Sequence, residues 1–248
     1  MTERTLDVNL HPSLREAHPV TGILAIRGEL SADNRAGAEE WHLHEHLLER
    51  VSTPGFLRGR RCVTPLDDVE PGRTAFLVVY EADTVETFGS EEYLRRLDQP
   101  TPLTRRMVTT TENGRRSAGR VQASVGRGVG QVSILAEYRL DADGGEAAMG
   151  TLADEVLPEL SAHREVLAAR ACRSEDAITA AKDTTSEGSR SQSRTTGGGG
   201  FALVDVTDAT VADELAGWLR TRLEGITGLE SPIVAGYRLQ MAITDLDC

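Results

Sequence analysis

Two stretches of this chain, 110 residues apart, carry the same pattern. With Cys62 laid on Cys172, Leu47 falls on Leu157, Glu49 on Glu159, Leu57 on Leu167 and Arg60 on Arg170. Each stretch runs from an apolar strand into an amphipathic helix, then two further strands and a second helix. A long repeat built from one supersecondary unit restricts the fold to arrangements in which two like units pack on each other.

In the first copy, 21–28 reads as a strand and 34–52 as a helix that stops at Pro54-Gly55. Strand two follows at 56–63, a turn at Glu70-Pro71-Gly72, strand three at 74–81 and a second helix over 84–97. A weaker fourth strand falls within 120–125. The second copy repeats this with strands at 132–138, 166–172, 201–206 and 233–241 and helices at 147–160 and 211–223. Beyond the second strand Val78 matches Val204, so the offset grows to 126. The added residues fall in the polar, glycine-rich stretch 182–200, which reads as a mobile hairpin loop. The organisation expected is an extension at 1–19, repeats at 20–125 and 132–243, a linker at 126–131 and a tail at 244–248. Gly126, Gly128 and Gly130 lie in or beside that linker; they lack the glycine order and the following helix of a phosphate-binding loop.

A formal charge of −12, from 39 acidic against 27 basic residues, argues against a nucleic-acid groove or an anionic membrane surface as the main partner. The longest apolar runs are strand-sized, too short to span a bilayer, and the first residues lack the basic and apolar regions of a signal peptide. Cys62, Cys172 and Cys248 are an odd number without CxxC spacing, which disfavours a disulfide framework or a zinc knuckle. These features predict a reduced, cytoplasmic protein. Lys182 is the only lysine among the 27 basic residues, as a GC-rich coding bias would produce.

Two βαββαβ units in one chain resemble the dimeric α/β-barrel superfamily. Glu45-His46-Leu47-Leu48-Glu49-Arg50 followed by Pro54-Gly55-Phe56 resembles the E-H-x-P…P-G-F signature of its EthD-like group, and the 100–106 segment is similar to one found there. The resemblance implies an α+β fold: two ferredoxin-like repeats whose antiparallel sheets form one barrel within the chain, where relatives use two subunits. It leaves room for a homodimer of the whole chain. Leu48 replaces the family proline in the first repeat, and Val156 replaces the histidine in the second. A single working pocket in the first half follows from these departures.

Trp41-His42-Leu43-His44-Glu45-His46 holds three of the six histidines, the side chains whose ordinary pKa lies nearest neutrality. At about 100° per residue, Leu43, Leu47 and Val51 define an apolar arc that contains His44. The wheel therefore favours His44 as the pocket-facing group, whereas the family motif favours His46. His42 and His46 share a face and could chelate a metal beside Glu39 or Glu45, but the spacing dictates no third ligand, and no metal is expected. His163 is conceivable as a haem ligand, though a surface histidine at a helix end is the plainer reading. Trp41, His42, Tyr80 and Tyr138 are the candidates for a ligand pocket, each offering a ring with a polar handle. Arg58, Arg60 and Arg61 alternate along a strand; arginines on opposite faces could bind an acidic substrate, but a solvated strand face is the default reading. Cys62 and Cys172, at equivalent positions, read as packing residues.

The function expected is a cofactor-independent enzyme acting on a small aromatic or polyketide-like molecule, a cyclase, isomerase or lyase, with His46 or His44 moving a proton. The alternatives are a cofactor-free monooxygenase and a non-catalytic protein that binds a small molecule or serves assembly. Fold alone does not choose among them.

Overall fold

A computed structural model describes residues 20–64, 72–195 and 197–244. The extension at 1–19, Glu70 and Pro71 of the expected turn, and residues 245–248 of the tail, with Cys248, lie outside the described residues. The first half comprises β1 (Gly22–Ser31), α1 (Ala32–Trp41), a π-helical segment (His42–His46), α2 (Leu47–Val51), β2 (Phe56–Val63), β3 (Arg73–Ala82), α3 (Glu91–Asp98), α4 (Pro102–Met107) and β4 (Glu112–Gly126). The second half comprises β5 (Val132–Leu140), α5 (Gly145–Thr151), a π-helical segment (Leu152–Val156), α6 (Leu157–Ser161), β6 (Val166–Ser174), α7 (Asp176–Ala181), β7 (Arg194–Thr195), β8 (Gly199–Val206), α8 (Ala212–Glu224) and β9 (Leu229–Thr244).

Strand order is β4-β1-β3-β2 in the first half and β9-β5-β8-β6 in the second, the ferredoxin-like order twice. β2 pairs with β9 and β6 with β4, so eight antiparallel strands close into one barrel with no free edge. The short β7 adds in parallel to β4. No helix among the described residues is long and apolar enough to cross a membrane.

Register refines the internal correspondence. Cys62 faces Leu77 across β2 and β3, and Cys172 faces Phe201 across β6 and β8. Leu77 therefore corresponds to Phe201, an offset of 124 (201 − 77), not the 126 suggested by matching Val78 to Val204. The extra length is also folded where the sequence suggested a loop. After α7 it forms two short 3-10 turns, Lys182–Thr184 and Gly188–Arg190, and then β7. The fourth strand, expected only over 120–125, runs through Glu112–Gly126. Its last residue adopts φ +67°, and a Cβ there would lie 2.1 Å from the Leu167 carbonyl oxygen. The linker begins at a position that sterics reserve for glycine.

The helices cover the outside of the barrel and build one apolar core in each half, around Leu47, Phe56 and Phe88 in the first and Leu152, Leu157 and Leu219 in the second. Each such side chain contributes about 1.5–3 kcal/mol on burial. Gly59 lets α2 approach β2 closely: a Cβ there would meet Val51 Cγ2 at 2.8 Å. A third core fills the barrel, with Cys62, Cys172, Phe201 and Leu203. Burial pushes the Cys62 thiol up to about 11 and that of Cys172 up as well.

With both faces of β2 covered, the solvated reading of its arginines is corrected: Arg60 and Arg61 are completely buried. Arg60 donates to Glu81 Oε1 at 2.7 Å and to Asp205 Oδ2 at 3.0 Å. Arg170 lies 3.6 Å from the same Asp205 oxygen, Ser133 donates to Asp205 Oδ1 at 2.8 Å, and Arg58 pairs with Glu81. Arg60 corresponds to Arg170 and Glu81 to Asp205, so both halves supply the cluster, and it joins them inside the barrel.

Candidate functional site

The site grows from the π-helical segment. The Leu47 amide donates to the His42 carbonyl, five residues back, instead of the four of an α-helix. The wider turn rotates the chain so that residues 42 and 46 both face the sheet, while His44 is exposed. An ideal wheel assumes α-helical rotation throughout and so placed His44 inward; the motif's His46 is the buried one. The second half makes the same turn, with the Leu157 amide on the Leu152 carbonyl. There the two sheet-facing positions are Leu152 and Val156, which close the apolar core. The first half places two imidazoles where its counterpart places hydrocarbon.

His42 and His46 line a cavity of about 70 Å³ between helix and sheet, with Trp41 beside them and Phe76, Val78 and Tyr80 opposite. The Trp41 ring centroid lies 4.4 Å from that of His42 and 4.2 Å from that of His46. Its indole N–H donates to Thr104 Oγ1 at 2.9 Å, and Thr104 donates to Glu45 Oε1 at 2.9 Å. Thr101 caps α4 by accepting from the Thr104 amide, and also donates to Glu45. The 100–106 segment thus fixes the indole, and Glu45 serves as its anchor.

On the helix and the facing strand, His42 Nδ1, His46 Nδ1 and the Tyr80 hydroxyl lack a hydrogen-bond partner. Burial, followed by the charge of Arg61, holds His42 well below the usual imidazole pKa, with the nearby Ala38 backbone opposing. Burial, followed by Arg50, does the same for His46. Both rings are therefore neutral near pH 7, each with a ring nitrogen free to accept a hydrogen bond. Burial also raises the Tyr80 hydroxyl, which stays protonated.

The far wall comes from the other half of the chain. Lys182, Glu187, Gly188, Ser191 and Ser193 line the cavity. The Glu187 amide donates to the Leu97 carbonyl at 2.9 Å, the Ser186 amide to Asp98 Oδ1 at 2.9 Å, and the Glu187 carboxylate pairs with buried Arg50. Sequence reasoning missed this wall because a polar, glycine-rich composition reads as loop, although the chain's only lysine stood within it. It also missed Phe76, Arg50 and Arg116.

Of the residues singled out from sequence, Trp41, His42, His46 and Tyr80 converge here; His44 and Tyr138 do not. The Tyr138 hydroxyl donates to the Cys172 carbonyl at 3.3 Å, and the residue borders a separate cavity of about 350 Å³ with Arg115, Arg139 and Glu137. Tyr138 alternates with the inward residues of β5 and so packs outward, in the second core. His163 is exposed, its ring 6.2 Å from Trp218, and it lines neither cavity. Among the described residues no three His, Cys, Asp or Glu side chains converge as a metal site.

Barrel closure by two ferredoxin-like units defines the dimeric α/β-barrel fold, here completed by one chain. Solved structures share it. A protein of Fusobacterium nucleatum provisionally assigned as a monooxygenase matches with TM-score 0.55 and 7% identity, over 91% of this chain and 95% of its own. An anthrone oxidase-like protein matches with TM-score 0.55 and 9% identity, over 91% and 94%. A mutant chlorite dismutase of Candidatus Nitrospira defluvii matches with TM-score 0.50 and 11% identity, over 89% and 91%. No family model and no curated protein matches the sequence.

Proposed function

We propose that the chain is a small-molecule enzyme of the EthD-like kind with one active site, the cavity of the first half. His46 and His42 move a proton on a small aromatic or polyketide-like substrate without a cofactor, in a cyclisation, isomerisation or elimination. One observation carries this reading: two neutral imidazoles with unpaired nitrogens stand at positions that the other half fills with leucine and valine. Buried polar groups without partners are costly, and they concentrate where a ligand completes them. Trp41 and Phe76 supply ring faces for an aromatic substrate, and the Tyr80 hydroxyl is placed to donate to its oxygen.

Two neighbours carry the names of a monooxygenase and an anthrone oxidase-like protein, which favours a second reading, oxygenation; here it would proceed on the same substrate without a cofactor. It begins with the same proton transfer and differs in consuming dioxygen. The test is a screen of aromatic and polyketide substrates against wild type, His46→Ala, His42→Ala and the solvent-facing control His44→Ala, with an oxygen electrode in line. The expected result is a loss of about 10²–10⁴-fold in kcat for His46→Ala with folding intact and little change for His44→Ala. Undiminished turnover in both His46→Ala and His42→Ala would sink the proton-transfer reading, and recovery of only unchanged, tightly held ligand would replace it with a binding function.

A further inference from the structure

Arg61 carries a charge into the interior of the fold. It is completely buried on the helix-facing side of β2, with its guanidinium carbon 5.1 Å from the Phe76 ring centroid. None of its three side-chain nitrogens has a hydrogen-bond partner. The Phe76 ring lines the cavity and lies 5.7 Å from the His42 ring. At the corresponding position the second half has Ala171, so the fold itself does not require a cation there.

The neighbouring charges are already engaged. Glu187 and Glu49 pair with Arg50, Asp183 pairs with Lys182, and Glu39 pairs with Arg35. Arg116, on the cavity wall, donates to the Thr179 carbonyl at 2.6 Å. Desolvation pulls Arg61 down to about 10, with Glu39 opposing. A buried cation without a partner penalises the empty protein and favours whatever brings a compensating negative charge.

We propose that the first-half cavity takes a ligand with an acidic oxygen, a phenol, enol or carboxylate, whose negative charge is balanced by Arg61. Arg61 lies off the cavity wall and acts across Phe76 and His42, where low polarity preserves its field. Arg116 and Lys182, which line the cavity, add charge of the same sign. The inference rests on the cavity being the substrate site, and it is independent of whether turnover follows.

The probe is para-nitrophenol, whose ionised form is yellow, titrated with the full chain just below the probe's own pKa, beside its neutral analogue nitrobenzene and the carboxylate benzoate. The expected result is growth of the phenolate band, with at least tenfold tighter binding of para-nitrophenol or benzoate than of nitrobenzene. Benzoate reports a ligand that arrives charged; para-nitrophenol reports one that ionises on binding. Arg61→Met loses that preference and, when empty, melts at a higher temperature than wild type. Should Arg61→Met not fold, Arg61→Gln serves, and the wild-type comparison decides by itself. Equal binding of nitrobenzene, no binding of any probe, or an undiminished preference in the Arg61 variant overturns the proposal. A phenolate preference that persists in His46→Ala without any turnover retains this inference and removes the catalytic one; histidine-dependent turnover without the preference does the reverse.

Discussion

Arg60 of the first half donates to Asp205 of the second across 3.0 Å inside the closed barrel. Removing either partner strands a charge in the interior. Asp205→Ala leaves Arg60 with Glu81 alone and Ser133 without its acceptor, and should destabilise the fold by about 3–5 kcal/mol. Urea unfolding checks this through a lowered midpoint at unchanged slope.

The two imidazoles should oppose stability. Replacing them with the residues of the second half, His42→Leu together with His46→Val, removes two unpaired nitrogens from a buried wall. The double variant should gain roughly 1–3 kcal/mol in thermal or urea unfolding while losing ligand binding and turnover. A less stable double variant would show that the imidazoles are integral to packing.

The same pair dictates a pH response. Each folded pKa lies well below the ordinary imidazole value of 6.5, so below pH 6.5 the unfolded chain binds protons that the folded chain does not. Stability is therefore full above that value and falls as the pH drops towards the folded pKa values, with a limiting slope near 2.7 kcal/mol per pH unit for two protons. Glu187, raised by burial, acts with the opposite sign above the ordinary carboxylate value of 4.5. Unfolding measured between pH 7 and 5 should show the fall in wild type and a flattened profile in the His42→Leu, His46→Val variant.

Glu187→Ala should loosen the far wall of the cavity. Arg50 would retain only Glu49, 3.4 Å away and partly exposed, at a cost of about 3 kcal/mol. Hydrogen exchange should quicken at the Ser186 and Glu187 amides, which hold the wall to α3, with smaller change in β1 and β3. Uniform change across the barrel would mean that the wall is not a separate unit.

Thr104→Val keeps the shape of the α4 start but removes the acceptor of the Trp41 indole. A buried N–H left unpaired costs about 1–3 kcal/mol. In a Trp218→Phe background Trp41 is the only indole of the chain, so its emission reports the change directly; emission identical to that of the background would mean that Thr104 does not set the ring's environment.

The barrel was legible in the sequence because period-two strands alternate with helices in both halves, and an offset of 110 aligned Cys62 with Cys172 without knowledge of the fold. His46 was legible from the family motif, and Trp41, His42 and Tyr80 as rings with a polar handle. Three things were not. The π-helical turn has no signature in composition, and without it a wheel turns His44 inward. Burial of Arg60 and Arg61 depends on both faces of β2 being covered, which is a property of the closed barrel and not of the strand. The far wall was hidden because hydrogen bonds from Ser186 and Glu187 to α3 join segments some ninety residues apart, and no local pattern encodes such a distance.

Joining the two halves in one polypeptide has a consequence for what the barrel can tolerate. A barrel closed by two identical subunits must accept every substitution twice, so a buried imidazole pair or a lone guanidinium would burden both sides at once. Here Leu152, Val156 and Ala171 keep these positions hydrocarbon on one side, while His42, His46 and Arg61 occupy them on the other. Covalent linkage thus releases the molecule from symmetry: one side serves as ballast, and the other is free to be unstable in a useful way.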